Sequence, residues 1–568
     1  MCGICGVLNN DSSKIIDRDT LVAMNESLFH RGPDDQGYFI RGNVGLGMRR
    51  LSIIDIKGGN QPIYNENKTI CVVCNGEIYN YIELRNELEG KGHRFSTNTD
   101  VEVIAHLYEE YGQDLVQKLR GMFAFALYDL SAKKLILGRD RLGIKPLYYS
   151  FQKGILLFAS ELKAILRYPG LERKLSYEAL SDYLTYLYIP SPETIYENIY
   201  KLPPAHLLVF KNKDFALNQY WEIDYRKQKE QREEYYLENF NDLLRETIKM
   251  HLMSEVPLGA FLSGGVDSSS IVALMAEVMD SPVKTFSVGF DVSDFNELKY
   301  AKLLANRFNT EHHEINLMPD IINILPKLVS YFDEPFADSS AIPTYLVSEF
   351  AKKRVTVCLA GDGGDELFAG YGWTRRQKFI DDYNCLPRVI RRFTGSVFLG
   401  SNYVIDYKGS LPEKMKRFFY DADMPLVESF MRRRTCFSET MKKGLFNENI
   451  NRRLSNYRSI SKISPYFERN KVCGNMEKLL FVDTKTFLPE DGLCKVDRMS
   501  MLNSLEVRVP FLDHKVVEFV SSMPFKLKMR GRQSKYILKK VLKNKVPAEI
   551  LKQRKLGFTI PLNSWFRN

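Results

Sequence analysis

Short apolar or alternating runs recur through residues 1–215: Gly3–Leu8, Val44–Met48, Ile70–Cys74, Met122–Leu130, Lys134–Leu137 and Ile155–Ala159. Runs of this length bounded by turn residues predict strands. Between them Val101, Ile104, Leu107, Tyr108 and Tyr111 recur at helical spacing, which predicts a helix over Asp100–Tyr111 stopped by Gly112. This part reads as α+β with strands dominating.

The pattern changes after Tyr220–Trp221. Arg226–Glu234 has seven charged residues in nine, the composition of a solvated linker or helix start. Beyond it strands alternate with helices: Pro257–Leu262 then Ser268–Met279, Val283–Phe290 then Glu297–Phe308, and Val355–Leu359 after a helical Thr344–Lys353. Such alternation predicts a parallel sheet with helices on its faces. From about residue 375 the pattern becomes largely helical, and the chain divides into units at 1–215 and 236–568.

Composition narrows the class. The 568 residues are 44% hydrophobic and 26% charged, which excludes a disordered chain, a fibrous repeat and a small disulfide scaffold. No run approaches the ~18 apolar residues of a membrane-spanning helix. Nine cysteines, sparse and odd in number, fit a reducing compartment. The opening MCGICGVLNNDSSK has no basic segment ahead of a long apolar core, so a cytoplasmic location is expected. Lys526–Lys555 carries twelve basic residues against Glu549 alone; its +11 exceeds the chain's net +10. Such a stretch suits nucleic acid, nucleotide phosphates or solvated helix faces. The aromatic interleaving of a nucleic-acid groove is missing, so no nucleic-acid partner is expected.

Two places carry candidate chemistry. Cys2 follows Met1 directly, and trimming of Met1 would leave a thiol beside its own α-amine. With a pKa near ~7.7–8.0, that amine can act as the base for the thiol. The alternative is an incidental buried cysteine. Cys71 and Cys74 lie three apart on a predicted strand, hence on opposite faces, which argues against a redox or metal pair. The second place is Ser263-Gly264-Gly265-Val266-Asp267-Ser268-Ser269, between a strand ending at Leu262 and a helix from Ser269. A strand, glycine turn and helix N-terminus form an anion cradle. No Walker-type loop is present. Asp362, Asp365 and Glu366 crowd a glycine-rich turn, where their repulsion calls for cations unless the turn is simply solvated.

Several segments in order resemble the glutaminase domain of class II glutamine amidotransferases. These are the leading MCGI, His30–Asp34, Arg50–Ile53, Asn75–Asn80, Asp100, Gly121–Ala126 and Gly138–Tyr148. The resemblance implies an N-terminal-nucleophile αββα sandwich with Cys2 as nucleophile. It gives the Asn75 side chain and Gly76 N–H to the oxyanion, and Arg50 to the glutamine carboxylate. Asp100 would take the ammonium, with Asn75, Gly76 and Glu77 in the same pocket. From the residues alone, Asp100 can instead cap a helix, Arg50 form a surface ion pair, and Asn75-Gly76 make a hairpin turn.

The second half is similar to the synthetase domain of glutamine-dependent asparagine synthetases, members of the ATP pyrophosphatases. The matching stretches are Ser263–Ser269, Phe286–Phe290, Leu359–Phe368, Asp497-Arg498, Glu506–Asp513 and Gly531–Lys535. The resemblance implies an α/β domain with a parallel sheet and a helical C-terminal part. It assigns Leu262, Val288, Ala360 and Gly361 to the adenosine of ATP, and Ser263, Gly264, Gly265 and Ser268 to the pyrophosphate. Asp267 and Asp365 would bind Mg²⁺, Asp362 would serve formation and amidation of the acyl-adenylate, and Lys535 would meet phosphate charge. The substrates implied are glutamine, aspartate and ATP. A homodimer is compatible with the family, and no membrane partner is expected.

Two features depart from the family. AGDGGDE has Ala and Asp where some asparagine synthetases have Ser and Glu, so Asp362 is one methylene shorter. The chain stops at Asn568, soon after Ser564-Trp565-Phe566, where relatives usually continue. The alternative keeps both half-reactions but amidates another carboxylate, in a polysaccharide or peptide. A third reading, a non-enzymatic protein on a decayed scaffold, conflicts with the presence of Cys2, Asp267 and Asp365.

Overall fold

A computed structural model describes residues 2–228, 230–290, 296–317, 321–391, 394, 411–469, 474–553 and 557. The departure at Ser564–Asn568 lies outside the described residues.

The first half contains twelve strands. They are β1 (Gly3–Asn9), β2 (Asp35–Arg41), β3 (Val44–Arg50), β4 (Ile63–Tyr64), β5 (Ile70–Ile78), β6 (Gly121–Asp129), β7 (Lys134–Arg139), β8 (Tyr148–Gln152), β9 (Ile155–Ala159), β10 (Ile199–Lys201), β11 (His206–Lys211) and β12 (Asp214–Gln219). They form two antiparallel sheets, ordered β10-β8-β9-β1-β3-β2 and β12-β11-β7-β6-β5-β4.

The period-2 alternation of side chains builds the layers. On β5, Cys71 and Val73 enter the core between the sheets with Ile4, Leu46 and Phe158. Val72 and Cys74 face the opposite way, under Leu84 and Leu88 of α2 (Tyr81–Gly90) and Val103, Ile104 and Leu107 of α3 (Glu102–Tyr111). Cys2, just ahead of β1, and Ile4 face the inter-sheet core, while Cys5 and Val7 face Leu21 and Met24 of α1 (Arg18–Glu26). The result is the expected αββα sandwich, with Cys71 and Cys74 on different sides of one sheet.

The second half holds a parallel sheet ordered β15-β14-β13-β16-β17. Its strands are β13 (Leu258–Phe261), β14 (Lys284–Phe290), β15 (Glu311–Leu317), β16 (Val357–Leu359) and β17 (Glu506–Arg508). Chain order runs outward from β13 to β15, then returns to the other side of β13 with β16. The β13/β16 junction is therefore a topological switch point, where open α/β sheets bind ligands at the strands' carboxyl ends. Periodicity marks neither of two strands in this sheet, just as it leaves β2, β4, β8 and β10–β12 unmarked in the first half. Glu311–Leu317 is a polar edge strand, and Glu506–Arg508 is three residues long within a helical region.

The halves share one apolar core. Leu51, Ile53, Tyr79 and Leu142 pack in the same cluster as Leu262, Phe368, Val507 and Phe511. Buried charge pairs cross the same boundary: Arg31–Asp497 at 2.8 Å, Arg120–Asp513 at 2.7 Å, Lys201–Glu490 at 3.0 Å and Arg498–Glu161 at 2.9 Å.

The basic stretch does not form one patch. Lys528 is fully buried, and that burial lowers its pKa to about 8. Lys545 pairs with Glu277 at 2.8 Å and Arg530 with Glu233 at 3.0 Å. Among the described residues, no helix is long and apolar enough to cross a membrane.

Candidate functional site

Two sites emerge, one in each half. At the first, Cys2 is buried at the head of β1, opposite β5. Its backbone N donates to Asn75 Oδ1 at 3.1 Å, and its carbonyl accepts from Arg31 Nε at 3.0 Å. Burial raises the thiol pKa, opposed by the Leu51 N–H and the nearby Arg50 charge. Asn75 and Glu77 share the inward parity of Cys71 and Val73, so both face the same gap as Cys2.

Asn75-Gly76 is therefore interior strand, not a hairpin turn. A Cβ on Gly76 would fall 2.0 Å from the Met122 carbonyl oxygen, so only glycine lets β5 and β6 approach this closely. Asn75 Nδ2 is buried with no hydrogen-bond partner among the described residues. An unsatisfied buried amide donor is costly, and functional sites are where such groups persist. Here it lies on the residue that holds Cys2, suited to an oxyanion.

Asp100 does not cap α3, whose N-cap is Val101. Its carboxylate instead accepts from the Ile78 N–H at 2.7 Å and from Thr99 Oγ1 at 3.2 Å, tying it to the end of β5. Burial raises its pKa to about 6, against those hydrogen bonds. Burial, with Glu506 and Asp100 nearby, also drives Glu77 well above the usual carboxylate range. Arg50 is not a surface ion pair. Its buried guanidinium donates to the carbonyls of Ile54, Asp55 and Ile56 at 3.0, 2.7 and 3.2 Å, and to Asn60 Oδ1 at 2.8 Å. Gly59 makes room for it, since a Cβ there would lie 2.6 Å from an Arg50 Nη.

The second site is a cavity of about 1420 Å³ at the switch point. Leu262, Ser263, Gly265, Asp267, Ser268, Val288, Ala360, Gly361, Asp362, Asp365 and Lys535 all line it. Gly264 does not; with φ at +82° it turns the chain, and a Cβ would strike Tyr300 Cβ at 2.6 Å. The helix begins at Val266 rather than Ser269, because Gly265 is extended and acts as its N-cap. Asp267 and Ser268 consequently sit in the first turn, where the helix dipole and free N–H groups favour anions. Ser263 and Ser268 hydroxyls lie 3.1 Å apart at the mouth of the loop.

The Lys535 ammonium bridges Asp267 and Asp365, the latter at 2.6 Å. Lys535 has a left-handed backbone (φ +56°), uncommon for a residue with a side chain and frequent at functional sites. Gly370 is required beside it, since a Cβ would reach within 1.9 Å of Asp365 Oδ1 and 2.3 Å of Lys535 Cε. Asp267 Oδ1 is buried without a hydrogen-bond partner among the described residues. Two adjacent carboxylates, one with an orphaned oxygen, around a point already holding positive charge fit the oxygen-donor needs of Mg²⁺. In the neighbouring turn burial pushes Glu366 up to about 7, while Tyr371 donates to it at 2.5 Å.

Sequence reasoning missed Lys495 and Asp338, which face the same cavity and pair at 2.6 Å. They lie 157 residues apart, and no local motif marks either.

Comparison with known proteins bears on each half of the chain. The "Asparagine synthase" family model matches residues 239–568, and the "Glutamine amidotransferase domain" model matches residues 1–221. Glutamine-hydrolyzing asparagine synthetase 1 of Bacillus subtilis is 37% identical, over the whole of this chain and 88% of that protein. A putative glutamine-hydrolyzing asparagine synthetase of Mycobacterium bovis is 32% identical, covering 95% of this chain and 83% of its own. Among solved structures, a B. subtilis glutamine PRPP amidotransferase is 15% identical with a TM-score of 0.30. It covers 55% of this chain and 65% of that one, too partial a match to add to the topology above.

Proposed function

The chain belongs to the glutamine-hydrolysing asparagine synthetase family, and from that premise we propose that it amidates aspartate through a β-aspartyl-adenylate. Glutamine is the nitrogen donor and ATP the energy source, as the family requires.

In the first half the Cys2 α-amine, freed of Met1, takes the thiol proton, and Sγ attacks the glutamine side-chain carbonyl. Asn75 Nδ2 and the Gly76 N–H stabilise the oxyanion. Ammonia departs, and water releases glutamate from the thioester. Arg50 faces the substrate carboxylate, Asp100 the ammonium, and Glu77 lines the pocket.

In the second half Leu262, Val288, Ala360 and Gly361 receive adenosine, and the Ser263–Ser268 turn receives the leaving pyrophosphate. The aspartate side-chain carboxylate attacks the α-phosphorus, breaking the bond to pyrophosphate. Ammonia then displaces AMP from the acyl carbon, and Asp362, which lines the cavity, takes its proton. Lys535 meets the phosphate charge. Asp267 and Asp365 would hold Mg²⁺, which supplies charge neutralisation at the phosphates when bound.

One observation carries the joined reading. The Arg508 carbonyl accepts from the Ala360 N–H at 2.9 Å, while its guanidinium lies 3.3 Å from Glu77. A single buried residue thus joins Ala360, which lines the cavity of the second half, to Glu77 of the first. The test is product analysis of Met1-processed protein with glutamine, ATP, Mg²⁺ and aspartate. Asparagine formed one-for-one with AMP and pyrophosphate is the expected result. Glutamate without asparagine or AMP would overturn aspartate as the acceptor.

A further inference from the structure

On the outer, helical side of the β12–β4 sheet, four side chains from three separate segments converge. Glu66 lies in the turn between β4 and β5, His93 in the connection from α2 to α3, and His106 and Glu109 one turn apart on α3. His93 Nδ1 is 3.4 Å from Glu66 Oε1 and 3.6 Å from Glu109 Oε2. His106 Nδ1 is 3.6 Å from Glu66 Oε2 and 3.5 Å from Glu109 Oε2. We propose that Glu66, His93, His106 and Glu109 form a four-coordinate site for a zinc-class divalent transition-metal ion.

The spacings support a shared ion over direct bonding. They exceed the ~2.7–3.2 Å of an N–H···O hydrogen bond. Ligands ~2.0–2.1 Å from a tetrahedral zinc ion stand about 3.3–3.4 Å from one another, close to what is seen here. One ligand atom from each residue lies within 4.8 Å of all the others.

His106 supplies an independent observation. It is fully buried on α3, and its Nδ1, which faces Glu66 and Glu109, has no hydrogen-bond partner among the described residues. A buried imidazole in that condition is costly unless something takes its lone pair.

The surroundings have the arrangement that orients metal ligands. His93 Nε2 faces Glu110 Oε1 at 3.2 Å, and His106 Nε2 faces Glu102 Oε1 at 3.6 Å, so each imidazole has a carboxylate behind it. Asn65 Nδ2 donates to Glu109 Oε1 at 2.8 Å, leaving Oε2 turned to the cluster. The Arg94 N–H donates to Glu66 Oε1 at 2.8 Å.

Two imidazoles and two carboxylates suit zinc and its neighbours. Mg²⁺ and Ca²⁺ favour six or more oxygen donors. Four protein ligands leave no open position, so the ion is structural. It joins the β4–β5 turn, the α2–α3 connection and α3 itself, whose first residue follows Asp100 by two positions. The site is independent of the glutamine and ATP chemistry.

The test uses full-length protein stripped with a chelator, then titrated with Zn²⁺ or Co²⁺ against a competing indicator. His93→Gln and Glu109→Gln serve as variants because both side chains are partly exposed. The expected result is one ion per chain with submicromolar affinity, weakened at least tenfold in each variant. Co²⁺ should show the intense visible absorption of tetrahedral coordination. Zn²⁺, unlike Mg²⁺, should raise Tm by several degrees in the parent protein and much less in the variants. No uptake at micromolar metal, or equal affinity in parent and variants, would overturn the proposal and leave the four residues as an imidazole–carboxylate ion-pair cluster.

Discussion

Arg31 grips Asp497 with two hydrogen bonds, Nη1 to Oδ2 at 2.8 Å and Nη2 to Oδ1 at 3.1 Å, 466 residues away in sequence. The same guanidinium donates through Nε to the Cys2 carbonyl, so a carboxylate of the synthetase half fixes the backbone that presents the Cys2 thiol. Asp497→Asn would leave Arg31, and Lys145 at 3.7 Å, short of a buried counter-charge. Breaking such a pair costs on the order of 3 kcal/mol. The expected outcome is that loss of denaturation free energy, with fewer asparagines formed per glutamine hydrolysed.

The nucleophile assignment is separable from synthesis. Cys2→Ala should abolish glutamine-dependent asparagine formation while ammonia-dependent formation continues. Parallel assays with the two nitrogen sources check it; loss of both in a folded protein would contradict the assignment.

Asn75→Ala should lower the glutaminase kcat by roughly 10²–10³, the usual effect of removing one oxyanion donor. Ammonia-dependent synthesis should remain close to the parent rate. A change below threefold in glutaminase kcat would remove Asn75 Nδ2 from the oxyanion role.

Gly370→Ala puts a methyl group against both Asp365 Oδ1 and Lys535 Cε. The pair must move apart, so synthesis with either nitrogen source should fall at least tenfold while glutaminase activity persists. Measuring AMP release and glutamate release on the same sample distinguishes the two.

Asp100 gives a pH signature. Its pKa, raised by burial to about 6, means the carboxylate becomes neutral as pH falls through that value. The glutamine ammonium then loses its counter-charge, so KM for glutamine should rise below pH ~6, by up to tenfold per unit. By linkage, the same upward shift contributes stability below Asp100's ordinary pKa of 3.8, and this contribution fades as pH rises through about 6. A glutamine KM flat from pH 5 to 7 would remove Asp100 from ammonium recognition.

Local chemistry was legible along the chain. Strand periodicity located β1, β3, β5–β7 and β9, because side-chain alternation and burial act within a few residues. The β5 alternation also separated Cys71 from Cys74 before any contact was known. The glycine turn from Ser263 marked an anion cradle for the same reason: strand, turn and helix N-terminus are contiguous. Boundaries were less legible. Asp100 has the composition of a helix cap but bonds the end of β5, since a partner 22 residues away outcompeted the local N–H groups. Glu506–Arg508 is too short to show a period, and becomes a strand because β16 offers it an unpaired edge.

The pattern of residues by itself marked two candidate sites, a cysteine with a potential amine base and a cradle followed by clustered carboxylates, and the family resemblance supplied their chemistry. Tertiary structure decided what those groups meet. Lys535 reaches Asp267 across 268 positions, Arg31 reaches Asp497 across 466, and Glu66, His93, His106 and Glu109 gather from three segments. Periodicity and motifs report only neighbours along the chain. Contacts between distant charged groups exist because a shared apolar core holds their backbones together and removes the water that would otherwise solvate them separately.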